Sequence, residues 1–239
     1  MPGIAGQRGA NIAVQNCDLL LCIGTHLSMQ LTGTNYSAFA REAYKIVVDI
    51  DPVELKHQRV KIDLPLCCDS RAFLKEMLLQ AKAAKLQNIS PWVDKCSRYK
   101  KYNHIESEKN KPGKNINPYI FLDTLSEELN KDDIIVVDGG GTIVYMAFQS
   151  FGVKPGQRLF ISSGIVAMGT GLPESIGAWF AHKKGRIICL CGDGSMQLNI
   201  QELQTIFHHD LPVKIFVFNN GGYLAIRHTQ DGFLKKNHA

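Results

Sequence analysis

The chain has 239 residues, of which 45% are hydrophobic and 21% charged, and its formal net charge is +5. At about 150 residues per domain this length predicts one to two domains, and the composition excludes a disordered chain, a collagen-like fibre and a small disulfide scaffold. No apolar run reaches the roughly 18 residues of a membrane span, and the N-terminus lacks a signal-peptide pattern. The seven cysteines form no Cys-x-x-Cys pair, which argues against zinc, and their odd number fits a reducing cytoplasm.

The N-terminal part has the pattern of an α/β unit. In chain order, the sequence predicts a helix over 8–16, a buried strand over 18–24, a helix over 39–43, a strand over 45–50 and a helix over 70–85. Asp51-Pro52 ends the second strand because proline cannot continue a central strand. The last helix carries apolar residues at helical spacing, namely Phe73, Leu74, Met77, Leu78 and Ala81.

A polar segment over 86–116 follows, and lysines cluster from Lys82 to Lys114. This charge is not combined with a recognition motif of the kind that nucleic-acid-binding proteins carry. The segment is therefore predicted to be a solvated linker, with an anion-binding surface as the alternative. No nucleic-acid or membrane partner is expected.

The C-terminal part, over 117–239, again alternates strands and helices. The sequence predicts helices over 119–130, 168–182 and 200–208, and strands over 134–137, 159–161, 186–191 and 213–218. Such alternation favours parallel sheets with right-handed crossovers. We therefore expect an α/β protein with two parallel-sheet domains, over 1–85 and 117–239.

Two polar turns follow the last two predicted strands, Gly192-Asp-Gly-Ser195 and Asn219-Asn-Gly-Gly222. Ligands of parallel sheets bind at the carboxyl ends of the strands, so both turns belong to one candidate site. The predicted metal ligands are Asp193, Asn220 and a backbone carbonyl near Gly222, and such oxygen ligands suit Mg²⁺ bridging to phosphates. Backbone N–H groups where a turn enters a helix bind phosphate oxygens. A Gly-Asp-Gly sequence alone is most often only a turn.

A Gly-Asp-Gly turn followed one strand-helix-strand unit later by Asn-Asn resembles the thiamine diphosphate-binding signature. The run from Gly192 to Leu203 is similar to that of bacterial acetolactate synthase large subunits. The run from Ser162 to Gly169 resembles their loop over the cofactor, and the stretches 6–11 and 45–52 resemble their central domain. The resemblance covers about the whole chain and implies an FAD-type central domain and a pyrophosphate-binding domain, both incomplete.

The resemblance also implies which residues contact thiamine diphosphate. Met168 matches the bulky residue that supports the bent cofactor, and the backbone carbonyl of Val166 matches the acceptor that orients its amino group. Acetolactate synthases usually carry Gln-His where this chain has Gly141-Thr142, so side-chain contacts are lost there. The full set of implied contacts is Gly140, Gly141, Thr142, Gly164, Val166, Met168, Gly192, Asp193, Gly194, Ser195, Asn220 and Tyr223.

The central domain of these enzymes often holds FAD, and several members of the family lack it. Acetolactate synthases typically have arginine at the position of His26, for which an exposed loop residue is the other interpretation. The residues implied for FAD are Gly6, Asn11, Gly24, Thr25, His26, Asp49, Asp51 and Asp69.

The activity implied is a thiamine diphosphate- and Mg²⁺-dependent decarboxylation of a 2-ketoacid, with pyruvate the expected substrate, and transfer of an acetaldehyde equivalent to a carbonyl acceptor. The acceptor stays open between pyruvate, 2-ketobutyrate and a keto-sugar, because the tryptophan that helps select it is absent and Arg227 or His228 could meet a carboxylate or a sugar hydroxyl. The family's enzymes are oligomers, so we expect a homo-oligomer.

The family takes its catalytic glutamate from a pyrimidine-binding domain, which we expect this chain to lack. We therefore expect no catalytic residue here, and a fragment that is inactive in isolation. A non-catalytic nucleotide-, FAD- or partner-binding fragment is the alternative.

Overall fold

The computed structural model describes residues 2–84, 87–102, 105, 108, 113–161 and 164–234. Ser162 and Ser163 of the predicted cofactor loop, Lys109 and Lys111 of the lysine cluster, and the last five residues lie outside the described residues. The chain divides into two compact units, Met1–His104 and Ile105–Ala239, here called unit 1 and unit 2.

Unit 1 contains a parallel sheet of three strands in the order β1-β2-β3. The strands are β1 (Leu19–Ile23), β2 (Tyr44–Asp49) and β3 (Leu64–Cys67). The α-helices span Arg8–Gln15, Met29–Thr32, Pro52–Lys56, Ser70–Ala83 and Ser90–Tyr99, and a 3-10 turn spans Tyr36–Ala38. The core contains Cys22, Leu27, Phe39, Ala40, Ala43, Val47 and Val60.

The helix predicted over 39–43 is wrong. The chain instead makes the 3-10 turn Tyr36–Ala38 and then places Ala40 at φ +43°. A left-handed residue with a Cβ costs about 1–2 kcal/mol and cannot continue a right-handed helix. Because Phe39, Ala40 and Ala43 are buried in the core of unit 1, the apolar pattern reflects packing of a turn.

Two apolar stretches of unit 1 are less buried than their sequences predict. In β1 only Cys22 is buried, and Leu19 is 54% exposed. The helix Ser70–Ala83 contains no buried residue, and Leu78 on its predicted apolar face is 60% exposed. The strand β1 is therefore less buried than predicted, and among the described residues it packs on the core of unit 1 through Leu20 and Cys22.

The predicted linker over 86–116 contains the helix Ser90–Tyr99, which packs against the helix Arg8–Gln15. A Cβ added to Gly9 would lie 2.3 Å from the carbonyl oxygen of Tyr99. The two backbones therefore meet directly, and this helix belongs to compact unit 1.

Unit 2 contains a parallel sheet of four strands in the order β5-β4-β6-β7. The strands are β4 (Ile134–Val137), β5 (Arg158–Ile161), β6 (Ile187–Gly192) and β7 (Val213–Phe218). The α-helices span Pro118–Glu128, Thr142–Ser150, Gly171–His182, Asp193–Met196, Glu202–His208 and Leu224–Phe233, and a 3-10 turn spans Gln197–Asn199. The two α/β units with parallel sheets confirm the predicted fold class. Among the described residues, no helix is long and apolar enough to span a bilayer.

The central strands β4 and β6 are fixed at their amino ends by Asp133, which is 1% exposed. Its carboxylate accepts hydrogen bonds from the backbone N–H of Asn130 at 2.7 Å and of Arg186 at 3.0 Å. It also accepts two from the guanidinium of Arg186, at 3.1 and 2.6 Å. Burial raises the pKa of Asp133, but these bonds outweigh burial and hold the pKa below its ordinary value.

The contact between the two helices of unit 1 can be tested with Gly9→Ala. We expect this change to lower the free energy of unfolding by about 1–3 kcal/mol or more, because the added methyl group overlaps backbone atoms that cannot move alone. Urea unfolding measures it.

Gly177→Ala is the matched control, because Gly177 lies inside the helix Gly171–His182 and an added Cβ meets nothing within 4 Å. It should stabilise unit 2 by about 0.5–1 kcal/mol. Equal changes in the free energy of unfolding for Gly9→Ala and Gly177→Ala would contradict the packing of Ser90–Tyr99 on Arg8–Gln15.

Candidate active site at the carboxyl edge of the second sheet

The turns after β6 and β7 lie side by side. The two strands pair in parallel with Gly192 opposite Phe218, so Asp193 and Asn219 follow adjacent strand ends. The backbone N–H of Gly222 donates a hydrogen bond to Oδ2 of Asp193 at 2.7 Å. The structure therefore brings together the two turns that the sequence predicts to face each other.

Asp193 is held by backbone N–H groups. Its Oδ1 accepts from the N–H of Gly194 at 2.9 Å. Burial raises the pKa of Asp193, but hydrogen bonds from the backbone of Gly222, Gly194 and Asn220 prevail and lower it. The side chain is therefore a fixed anion at neutral pH, as a ligand for a divalent cation must be. Gly222 has φ +81°, a conformation that suits glycine.

The two asparagines of the second turn have different surroundings. Oδ1 of Asn219 accepts the N–H of Gly221 at 3.0 Å and shapes the turn. Asn220 is exposed beside Asp193, and its carbonyl oxygen accepts from Nη2 of Arg227 at 3.4 Å. Among the described residues, no group of three or more His, Cys, Asp or Glu side chains could hold a metal ion. A cation here would therefore combine one carboxylate with amide, carbonyl and phosphate oxygens.

The residue after this turn, Tyr223, lies against the first turn. A Cβ added to Gly194 would lie 3.0 Å from two ring carbons of Tyr223. Glycine at position 194 therefore lets the ring approach the backbone next to Asp193. The backbone of Gly192 ends β6 and leads directly into this contact.

The turn after β4 is packed against the predicted cofactor loop. A Cβ on Gly139 would lie 2.4 Å from the carbonyl oxygen of Ala167, and one on Gly140 would lie 2.2 Å from Cγ of Met168. Gly141 differs, because its φ is +68° and nothing lies within 4 Å of the Cβ position. Gly139 and Gly140 therefore allow the loop to approach closely, and Gly141 leaves open space before the helix Thr142–Ser150.

Val166 adopts φ +58° in this loop. A β-branched residue rarely occupies the left-handed region, and such strain is concentrated at functional sites. Gly164 is exposed, whereas Val166 and Met168 are half-buried. The predicted helix over 168–182 begins only at Gly171, because Gly169 has φ +88° and breaks the helical path.

Ser195 turns its side chain inward. It is 4% exposed, its hydroxyl donates to Oδ1 of Asp138, and its Oγ accepts the N–H of Gly169 at 2.9 Å. The hydroxyl is therefore engaged inside unit 2, and the backbone N–H is the group that Ser195 can offer to a phosphate.

Asp138 is not among the predicted site residues, because the sequence indicates only a glycine turn after β4. It is 1% exposed, and its carboxylate contacts residues of three separate segments. An acidic residue directly after a fully buried strand and before three glycines was the available signal.

Glu174 lies behind this region in the helix Gly171–His182. Its Oε2 is buried and has no hydrogen-bond partner. Burial raises the pKa of Glu174 and the negative charge of Asp138 raises it further, while a hydrogen bond from Thr170 acts in the opposite direction.

The residues predicted for FAD follow the carboxyl ends of the three strands of unit 1. Gly24–His26 follow β1, Asp51 follows β2 and Asp69 follows β3, and the strands are paired in parallel. The side chains of Asp51 and Asp69 accept the N–H groups of Val53 and Ala72, at 2.8 and 2.9 Å, and begin helices.

The other residues of this set also have local contacts. The carboxylate of Asp49 accepts the N–H of Asp51 at 2.9 Å, and Nδ1 of His26 lies 2.8 Å from Oε2 of Glu54. The amide of Asn11 bonds the backbone of Gly3 at 2.6 and 3.0 Å. Gly6 is buried and Thr25 half-buried. These contacts give the residues structural roles, and FAD binding stays a prediction.

The two parallel sheets define an α/β protein, and unit 2 brings two polar turns together at the carboxyl edge of its sheet. Residues 139–239 match the C-terminal TPP binding domain of thiamine pyrophosphate enzymes, and residues 1–77 match the central domain of these enzymes. The chain belongs to the thiamine pyrophosphate enzyme family.

Relatives of the chain are named as acetolactate synthase large subunits. It is 35% identical to a probable acetolactate synthase large subunit of Methanocaldococcus jannaschii, over 92% of the chain and 37% of the relative. It is 33% identical to the large subunit of Cyanidium caldarium, over 100% of the chain and 40% of the relative. It is 32% identical to the isozyme 2 large subunit of Escherichia coli, over 100% of the chain and 42% of the relative. The chain therefore spans about two fifths of these relatives.

The buried carboxyl group of Glu174 predicts a pH-dependent effect of Glu174→Gln. Because the pKa of Glu174 is higher in the folded than in the unfolded chain, the unfolded chain loses the Glu174 proton at a lower pH. The wild-type chain therefore loses stability as the pH rises from the unfolded-state pKa to the folded-state pKa. Glutamine does not ionise, so the variant should be more stable than wild type at pH 7 and similar near pH 4. Unfolding by urea at both pH values measures the difference.

Glu127→Gln serves as the control, because Glu127 is exposed. A Glu174→Gln variant that is destabilised equally at both pH values would contradict the assignment of a raised pKa.

Proposed function

We propose that this chain carries the diphosphate- and Mg²⁺-binding site of a thiamine diphosphate-dependent 2-ketoacid decarboxylase or carboligase of the acetolactate synthase type. The observation that carries the proposal is the contact of Asp193 with the turn at Asn220–Gly222, at the carboxyl ends of two paired strands. The family matches and the relatives' names support it.

In this proposal the metal is held by a carboxylate oxygen of Asp193, the amide oxygen of Asn220 and the backbone carbonyl of Gly222. Asp193 fits this role because the surrounding N–H groups keep it ionised and oriented. One charged ligand with neutral oxygens leaves positions for phosphate oxygens and water, which is the usual arrangement for Mg²⁺.

The diphosphate would lie against the backbone of Gly140, Gly141, Gly194 and Ser195. The N–H groups of Gly140 and Gly194 bond Asp138 and Asp193, so those of Gly141 and Ser195 are the proposed donors to phosphate oxygens. The open space over Gly141 fits this role, since no atom lies within 4 Å of its Cβ position. Met168 and the carbonyl of Val166 would support the rest of the cofactor. When bound, thiamine diphosphate supplies the electron sink for decarboxylation that protein side chains lack.

The proposed substrate is pyruvate, and the acceptor is a second carbonyl compound. Arg227 lies near the proposed metal ligands, with Nη2 at 3.4 Å from the carbonyl oxygen of Asn220. A guanidinium at this place could bind the carboxylate of a keto acid, so we favour a keto acid over a keto-sugar as acceptor. Magnesium dependence, homo-oligomeric assembly and a cytoplasmic location are part of this proposal.

We also propose FAD as a ligand of unit 1, because the carboxyl ends of its three parallel strands lie at one edge of the sheet, near Asp49. A purified chain with the visible absorbance of an oxidised flavin, or one that acquires it on mixing with FAD, would support this assignment. Colourless protein that leaves added FAD unbound would contradict it.

The metal role of Asp193 predicts the effect of Asp193→Ala. We expect weak, Mg²⁺-dependent binding of thiamine diphosphate by the wild-type chain, and a loss of more than about 100-fold in the variant, because the only charged ligand is removed. Isothermal titration calorimetry with and without Mg²⁺ measures both affinities.

The control is the double variant Lys100→Ala and Lys101→Ala, which removes two positive charges from unit 1 and should leave the affinity unchanged. Unchanged affinity in Asp193→Ala would remove the metal role, and a large loss in the lysine variant would place the basic segment in the site.

The chain by itself should not release carbon dioxide from pyruvate. In unit 2 the carboxylate of Glu202 accepts a hydrogen bond from Thr205, and burial raises the pKa of Glu174, which disfavours the ionised form that a base needs. We therefore expect neither residue to act as the base for a bound cofactor. Loss of such a base removes roughly 10²–10⁴-fold in rate. The assay is carbon dioxide release by the purified chain with thiamine diphosphate, Mg²⁺ and FAD, with a full-length relative as positive control. Turnover comparable to that relative would contradict this prediction.

A further inference from the structure

We propose that Asp138 is a positioning residue that holds three cofactor-contacting segments of unit 2 in one arrangement. The segments are the glycine turn at Gly140, the loop at Met168–Gly169 and the turn at Gly194–Ser195. The inference rests on the proposed function for what these segments bind, whereas the contacts of Asp138 stand independently of it.

The carboxylate of Asp138 receives one hydrogen bond from each of four residues. Oδ1 accepts the hydroxyl of Ser195, the N–H of Gly140 at 3.1 Å and the N–H of Gly169 at 3.3 Å. Oδ2 accepts the N–H of Gly171 at 2.9 Å. Ser195 and Gly169 also bond each other at 2.9 Å, which closes a network around Oδ1.

Asp138 has no cationic partner among the described residues, and it is 1% exposed. Burying a carboxyl group is unfavourable unless hydrogen bonds compensate it. The compensation comes from the donors above, of which Gly171 lies in the first turn of the twelve-residue helix Gly171–His182. Since the donors are backbone groups and one hydroxyl from separate segments, all of these hydrogen bonds form only while the segments stay in place.

The packing of the same segments agrees with this role. Gly140 allows Met168 to approach its Cα closely, since a Cβ would lie 2.2 Å from Cγ of Met168 and 2.9 Å from Oγ of Ser195. A shift of any one segment would therefore open the contacts of the other two. Asp193 faces the proposed ligand, and Asp138 lies behind it and fixes the backbone that the ligand contacts.

The variant Asp138→Asn keeps the shape of the side chain and replaces one acceptor oxygen with an NH₂ group. In either orientation of the amide, its NH₂ group faces N–H donors of the protein. At least one hydrogen bond from a backbone N–H to the side chain at position 138 is therefore lost. Asp133→Asn is the matched control: Asp133 is equally buried, flanks the amino end of the same strand β4 and contacts Asn130 and Arg186 instead.

Two measurements on the full chain test the proposal. The first is amide hydrogen exchange without ligand, read at Gly140, Gly169 and Gly171. Asp138→Asn should accelerate exchange at all three by at least about tenfold, while Asp133→Asn should leave them unchanged and accelerate exchange at Arg186. Unchanged exchange at two or more of the three glycines in Asp138→Asn would overturn the proposal.

The second measurement is the affinity for thiamine diphosphate with Mg²⁺, by calorimetry. Asp138→Asn should weaken this affinity by at least about tenfold, and Asp133→Asn should not, even where the two substitutions lower the free energy of unfolding by similar amounts. Asp138→Glu should restore less than half of the log affinity that Asp138→Asn loses, because the longer glutamate side chain shifts the acceptor oxygens. An equal loss in the two asparagine variants would show a merely structural role and overturn the proposal.

The two results separate this inference from the proposed function. If the wild-type chain binds no thiamine diphosphate at any concentration tested, the proposed function fails, and the exchange data alone decide the role of Asp138. If wild type binds and Asp138→Asn binds equally well, the positioning role is wrong and the proposed function stands.

Discussion

The parallel pairing of β6 with β7 is the constraint on which the candidate site depends. With Gly192 opposite Phe218, the first residue after each strand emerges at the same edge of the sheet. A shift of one residue in this register would turn alternate side chains to the other face and separate the two turns. The fully buried residues of β6, Ile187–Cys191, pack on both faces of the sheet, so such a shift would also disturb the core on both sides.

Two aspartates at this edge illustrate how burial determines what a carboxylate does. Asp193 is half-buried and held by the N–H groups of Gly194 and Gly222, so part of its oxygen surface faces solvent. Asp138 is fully buried, and each of its oxygens accepts hydrogen bonds from the protein. In the proposed function the first carboxylate binds the cation, and the second holds the backbone behind it.

The site residues that the sequence could predict were those that follow strands directly. Asp193 and Asn220 come after apolar runs long enough to be strands, and parallel topology then places them together. Asp138 also follows a strand directly, but that position does not reveal its contacts. Its partners Gly169, Gly171 and Ser195 are separated from it by 31, 33 and 57 residues, and no local pattern encodes such contacts. The inward position of the Ser195 hydroxyl was unpredictable for the same reason.

The fold could be predicted at the level of strand and helix order, and local errors had local causes. Ala40 and Gly169 adopt left-handed backbone conformations that interrupt two predicted helices, and an alanine gives no warning of this. The helix Ser90–Tyr99 was not predicted, because the lysines around it give this segment the polar composition of a linker. The contact that packs its backbone against Gly9 is not visible in the local sequence. The exposed side of β1 shows that an apolar strand sequence does not reveal which of its faces is covered within the unit.

The most direct test of the central claim is a crystal structure of the chain with thiamine diphosphate and Mg²⁺. The account predicts a metal ion at about 2.0–2.1 Å from a carboxylate oxygen of Asp193, with the amide oxygen of Asn220 as a second ligand and the diphosphate against the backbone of Gly194 and Gly141. A diphosphate or metal bound elsewhere on the chain, with Asp193 uninvolved, would contradict it.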